Sequence, residues 1–160
     1  MRRWAGACAL LLVLASPAHS QAIIQGAVDL VVDGENLVAA GTRIRLWGIR
    51  ALASEQRCIA EDSTASSCGR TAAMMLDILT RGRRVECRVR SAEGGSAPTA
   101  QCRTGTTDLA GIQVLAGNAI DVPVASGGYY RTEQVMAIER RAGFWTHPFP
   151  WPFPGPATAP

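Results

Sequence analysis

Apolar and polar positions alternate through Val28, Leu30 and Val32, break at Asp33-Gly34, and resume at Leu37-Val38. This pattern predicts a strand over 24–32, a hairpin turn at Asp33-Gly34, and extended chain over 37–49. A second turn at Ala40-Gly41 divides that stretch. Beyond it, strand periodicity turns Ile44, Leu46 and Gly48 to one face and Arg43, Arg45, Trp47 and Ile49 to the other. The three segments form an antiparallel meander.

Residues 50–68 are polar and irregular. Ala72, Met75, Leu76 and Leu79 fall at helical spacing, which predicts a helix from Arg70 to Arg81 with Gly82 as its stop. Val85, Cys87 and Val89 mark a strand over Arg83–Arg90, followed by a Gly/Ser turn at 91–98 and a short strand over Thr99–Arg103. Thr107 is the expected cap of a helix over Asp108–Ala116, with Leu109, Ile112 and Leu115 inward. A loop over 117–128 and a last helix over Thr132–Ala142, ending at Gly143, complete the series. Five strands with about three helices, one of them between the third and fourth strands, predict an α+β fold: a small five-stranded OB-type barrel. The expected domain covers residues 24–147.

The two ends read differently. Met1-Arg2-Arg3, the apolar run Trp4–Ala15 and the small residues Ala18-His19-Ser20 have the order of a secretory signal peptide over residues 1–20. The run is too short for a membrane anchor, which needs about 20 apolar residues. The expected location is therefore secreted or periplasmic, with no integral membrane segment after cleavage. From Pro148 the chain alternates Pro with Phe and Trp, and the expected domain ends in an extended Pro-rich tail over 148–160.

Charge narrows the chemistry. All 16 basic residues are Arg and 13 residues are acidic. A lysine nucleophile or Schiff base is thus excluded. Loss of Arg2 and Arg3 with the leader leaves 14 basic against 13 acidic residues, a net charge of +1, which does not by itself define a nucleic-acid-coating surface. Cys58, Cys68, Cys87 and Cys102 remain, an even number suited to an oxidising compartment. Their spacings of 9, 18 and 14 residues contain no C-x-x-C knuckle, so disulfides are expected rather than zinc. Three pairings are possible.

Longer motifs add a resemblance. Val32-Asp33-Gly34-Glu35-Asn36-Leu37 followed by Ile44-Arg45-Leu46-Trp47-Gly48-Ile49 resembles the opening of the staphylococcal nuclease (thermonuclease-like) family, V-x-D-G-D-T-L and I-R-L-x-G-I-D-A-P-E. Further matches come in order: Gln56-Arg57-Cys58, Cys68-Gly69 before a helix, Val85-Glu86-Cys87, Ala100-Gln101-Cys102, Asp108-Leu109 opening a helix, and Gly143-Phe144-Trp145. The resemblance covers about residues 27–151. It implies a secreted, calcium-dependent phosphodiesterase, in which carboxylates hold the metal, a base orients water, and arginines neutralise the developing phosphorane charge.

The matched positions keep only part of that machinery. Asp33 and Glu35 correspond to metal-binding carboxylates, with Glu35 one methylene longer than the family residue. Arg45 corresponds to the phosphate-binding arginine, and Tyr130, with Tyr129 beside it, to a tyrosine near the phosphate pocket. Where the family has D-A-P-E this chain has Arg50-Ala51-Leu52-Ala53. An arginine, Arg50, thus replaces the opposing metal ligand, and Ala53 replaces the general base. A guanidinium about 4 Å from a divalent ion, at an effective dielectric near 20, meets roughly 8 kcal/mol of repulsion before screening. The second family arginine falls at Ala97. Arg50 is expected to turn toward Asp33 and Glu35 in place of the metal.

These losses predict an inactive, nuclease-like binding or scaffolding module without a cofactor, monomeric, with a nucleic acid or an envelope protein as partner. Two alternatives stand beside it. One is a calcium-dependent nuclease with a site relocated among Asp33, Glu35, Glu55, Arg45 and Arg50. The other is an interaction module that docks its Pro/aromatic segment, Phe144 to Pro154, in a partner groove. For the cysteines, Cys58–Cys68 closes a loop leading into a helix and Cys87–Cys102 joins adjacent antiparallel strands, which makes these the expected pairs.

Overall fold

A computed structural model of the chain describes residues 22–59, 64–91 and 96–146. The expected signal peptide and Pro-rich tail lie outside the described residues. Strand β1 (Ile23–Val31) runs into the Asp33-Gly34 turn, returns as β2 (Asn36–Ala39), and turns again into β3 (Thr42–Leu46). Ala40 and Gly41 take φ of 49° and 71° at that second turn, the left-handed pair that matches the twist of a tight hairpin. The predicted meander is present.

Extended chain does not continue to Ile49 on one strand. Gly48, at φ 78°, bends the backbone after Trp47, and β4 (Ile49–Ala51) departs in a new direction. Ile49 is consequently buried, not outward with Arg43 and Arg45 as strict alternation predicts. Short strands β5 (Cys58–Ile59) and β6 (Ala65–Ser66) pair with each other before helix α1 (Cys68–Thr80). A Cβ on Gly69 would lie 1.8 Å from the Ala53 carbonyl oxygen, so only glycine lets α1 start this close to the 53–56 turn.

Strand β7 (Arg84–Ser91) pairs antiparallel with β1 and with β8 (Thr99–Thr104). Arg45 and Leu46 of β3 pair parallel with Thr99 and Ala100 of β8. That contact closes β3-β2-β1-β7-β8 into a five-stranded mixed barrel, so the architecture is the α+β, OB-like barrel read from the sequence. Inward residues Leu37, Ile44, Leu46, Val85, Cys87, Ala100 and Cys102 fill it, and Leu76 of α1 joins them.

After β9 (Thr107–Asp108), helix α2 (Leu109–Leu115) is capped by Asp108, whose side chain accepts from the N–H groups of Ala110 and Gly111. Thr107, the expected cap, pairs with Thr104 in β9 instead. The expected loop at 117–128 contains β10 (Ala119–Asp121), which pairs with β4, and the single turn α3 (Pro123–Ser126). Helix α4 (Arg131–Glu139) stops short of Ala142 because Arg141 takes φ 51° and reverses the chain. Gly143–Thr146 is then a 3-10 turn. Cys58–Cys68 and Cys87–Cys102 are bonded, as paired above.

Candidate functional site

The β1–β2 turn carries the two carboxylates of the expected metal site; Asp33 is turned to the turn's own backbone and Glu35 to that of β4. Asp33 Oδ1 accepts from the N–H groups of Glu35 and Asn36, each at 2.8 Å, and from Asn36 Nδ2 at 3.0 Å. Asp33 Oδ2 accepts from the same Nδ2 at 2.9 Å. This Asx arrangement fixes the hairpin. Glu35 points inward and is only 8% exposed. Its Oε2 accepts the N–H of Ala51 at 2.7 Å. Burial raises its pKa above the ordinary carboxyl value; the Ala51 N–H and the charges of Arg50 and Arg45 oppose that shift, and Asp33 adds to it.

Amides secure the opposite side of the turn. Gln113 of α2, fully buried, donates from Nε2 to the carbonyls of Gly34 and Ala72, both at 2.8 Å. Ser54 Oγ donates to the Val32 carbonyl at 2.8 Å. The hairpin is therefore built into the junction of α1, α2 and the segment after β4.

Arg50 is exposed on β4, opposite Ile120 of β10. Among the described residues it forms no ion pair or side-chain hydrogen bond with Glu35; the partner of that carboxylate is the Ala51 backbone, although the Arg50 charge still reaches it. Arg45 is exposed on β3, its backbone N–H bonded to the Pro98 carbonyl at 3.0 Å. Ala53 sits in a tight turn, with its N–H on Gln56 Oε1 at 2.7 Å. Glu55 is exposed and Ala97 half-buried just before β8. Among the described residues no three His, Cys, Asp or Glu side chains converge on one point. Calcium takes six to eight oxygens, and the three N–H donors that engage the Asp33 carboxylate leave this hairpin ill-suited to it.

Tyr130 and Tyr129 part company. Tyr130 is buried, and its hydroxyl donates to Asp108 Oδ1 at 3.3 Å. Burial, then the neighbouring Asp108 charge, raises its pKa well beyond the ordinary phenol range. Tyr129 is 54% exposed and meets Trp47 edge-on at 5.8 Å between ring centroids. The Arg90 guanidinium lies 4.9 Å from the Trp47 ring centroid. It donates to Gln101 Oε1 at 2.6 Å, and Gln101 Nε2 donates to Asp108 Oδ2 at 2.7 Å. A relay thus runs from the partly buried Trp47 ring and the exposed Arg90 cation to the cap of α2. Motif matching names neither Trp47 nor Gln101 as a site residue; for Trp47 the available signal is its alternation with Arg43 and Arg45, whereas Gln101, buried on β8, carries none.

What the fold and these contacts define is a disulfide-stapled OB-like barrel with an arginine- and aromatic-bearing surface and a hairpin whose carboxylates accept from N–H groups of the protein. No family model matches the chain. It is 28% identical over 117 residues to the succinoglycan biosynthesis protein ExoI of Rhizobium meliloti (strain 1021), a match covering 72% of this chain and 61% of that protein. The chain therefore matches less than two thirds of its relative's length.

Proposed function

We propose that the chain is an exported, staphylococcal-nuclease-like barrel whose phosphodiesterase site no longer operates and which serves as a binding module. The carrying observation is the hairpin itself: Asp33 holds three N–H groups of the turn and Asn36, and Glu35 holds the N–H of Ala51. The carboxylates that correspond to metal ligands act as structural acceptors. Arg50, Ala53 and Ala97 supply neither the opposing ligand, nor a base, nor a second arginine. Two disulfides support an oxidising, secreted or periplasmic location, and the Trp47–Tyr129–Arg90 surface supports contact with a nucleic acid or an envelope protein.

Digestion of DNA and RNA with calcium tests the reading. Purified mature chain is expected to leave both intact, measured beside the Arg50→Asp/Ala53→Glu/Ala97→Arg variant. Calcium-dependent cleavage by the unaltered chain, abolished in Glu35→Gln, overturns it in favour of a residual nuclease. The similarity to a succinoglycan biosynthesis protein favours a second reading, in which the barrel contributes to making a glycan.

A further inference from the structure

The outer faces of β1, β7 and β8 form a groove away from the hairpin. It is lined by Gln25, Arg84, Glu86, Arg88, Arg103 and, from the β8–β9 turn, Thr106. Register explains the assembly: Glu86 stands opposite Gln25 on one side and Arg103 on the other. The groove lies at the start of β1, whereas Asp33 and Glu35 follow its end.

The cations are held to different degrees. Glu86 Oε1 pairs with Arg88 Nε at 3.1 Å, and Glu86 Oε2 accepts from Gln25 Nε2 at 3.1 Å. This clamp fixes Arg88 while its side chain stays 60% exposed. Arg103 Nη2 is 3.9 Å from Asp108 Oδ2, an oxygen already engaged by Gln101. Arg84 is exposed and, among the described residues, makes no ion pair or side-chain hydrogen bond. Three guanidinium groups therefore face one groove carboxylate, with N–H donors left for a ligand.

Lining chemistry selects among anions. Guanidinium forks match carboxylates and phosphates alike. Single-stranded nucleic acid, however, is held by aromatic platforms along a basic track, and no aromatic side chain lines this groove; Trp47 and Tyr129 stand together elsewhere. Glu86 at its centre accepts hydrogen bonds from hydroxyls, and Thr106 and Gln25 both donate and accept. The complementary ligand alternates carboxylates with hydroxyl-bearing rings.

We propose that the Arg84–Arg88–Arg103 groove binds an acidic polysaccharide, its sugar carboxylates on the arginines and its hydroxyls on Glu86, Gln25 and Thr106. The groove is separate from the ancestral hairpin, so DNA cleavage by the chain would overturn the function proposed above without bearing on this one.

Calorimetry on the purified mature chain, with a short oligogalacturonate as probe, tests the groove. Its carboxyl-reduced neutral counterpart and an oligothymidylate of equal charge are the comparisons. Oligogalacturonate is expected to bind more tightly than either. Arg84→Ala/Arg103→Ala is expected to weaken it about tenfold or more, the loss of at least one charge-assisted hydrogen bond. Arg131→Ala/Arg140→Ala, which removes the same charge from the α4 region, leaves it unchanged. If the groove double variant does not fold, Arg84→Glu, at an exposed and unpaired side chain, carries the same expectation. Absence of oligogalacturonate binding, equal or tighter binding of oligothymidylate or the neutral oligomer, or equal weakening by the two double variants overturns the proposal.

Discussion

Glu35 accepts the backbone N–H of Ala51 at 2.7 Å, joining the β1–β2 turn to β4 across 16 residues of chain. Ala51 is buried, and the Glu35 carboxylate supplies the acceptor for its N–H. The same contact makes the side chain structural: it is buried, proton-seeking and occupied.

That burial has a pH signature. With its folded pKa raised above 4.5, Glu35 holds its proton in the native state at pH values where the unfolded chain has released it. Its contribution to stability is greatest below 4.5 and declines as pH rises through the folded value. Glu35→Gln keeps an acceptor for Ala51 and removes the titration. Urea unfolding from pH 4 to neutrality is expected to show the variant gaining on the unaltered chain as pH rises; parallel curves contradict this. Glu35→Ala leaves the Ala51 N–H unpaired and is expected to cost about 1–3 kcal/mol.

The two disulfides differ in access. Cys87 and Cys102 are fully buried between β7 and β8, whereas Cys68 is partly exposed at the start of α1. Under native conditions a thiol reductant is expected to open Cys58–Cys68 first, because exchange requires approach to a sulfur. Timed alkylation and peptide mapping give the order. Replacing Cys87 and Cys102 together with Ser should lower stability by about 3 kcal/mol in the chain-entropy account, on the basis of the 15-residue separation.

Asp108 serves α2, Gln101 and Tyr130 at once. Asp108→Ala is expected to lose the cap, about 0.5–2 kcal/mol, together with the acceptor that orients Gln101. Tyr130→Phe removes one hydroxyl bond and should cost about 1 kcal/mol. Denaturant midpoints of the two single variants and the double variant measure the coupling, with a sub-additive sum expected for groups in contact.

Gly69 tests the junction of α1 with the 53–56 turn. A methyl group 1.8 Å from the Ala53 carbonyl oxygen forces the helix start to move. Gly69→Ala is expected to destabilise by about 1–3 kcal/mol, whereas Gly82→Ala meets no atom within 4 Å and strains only a φ of 69°. Thermal unfolding of the pair ranks them.

Alternation sufficed for the barrel walls, since Val85, Cys87 and Val89 announce β7 and its inward face directly. The register of Ile49 was hidden because one left-handed glycine, Gly48, resets which residues face the core. Thr107 and Asp108 are both fair caps by composition, and the β8–β9 pairing decides between them. Strand β10 lies in a Gly- and Ser-containing stretch, and only its pairing with β4 makes it a strand. At the hairpin, sequence identified Asp33 and Glu35 as candidate carboxylates. It did not reveal that the backbone claims them, because that depends on Ala51 arriving from another element. The Arg90–Gln101–Asp108 relay likewise needs two strands and a helix in register.

Barrel closure sets an order of events in time. The parallel pairing of Arg45 with Thr99 and the β1–β7 contact both join distant parts of the chain, so they form late, after the loop entropy between them is overcome. The β7–β8 hairpin is local, and its Cys87 and Cys102 face each other as register partners. Oxidation of that pair can therefore precede closure. A newly emerged chain would carry a covalently fixed hairpin while β3 and β8 still present open edges, making the interval before they meet its period of greatest exposure to misassociation.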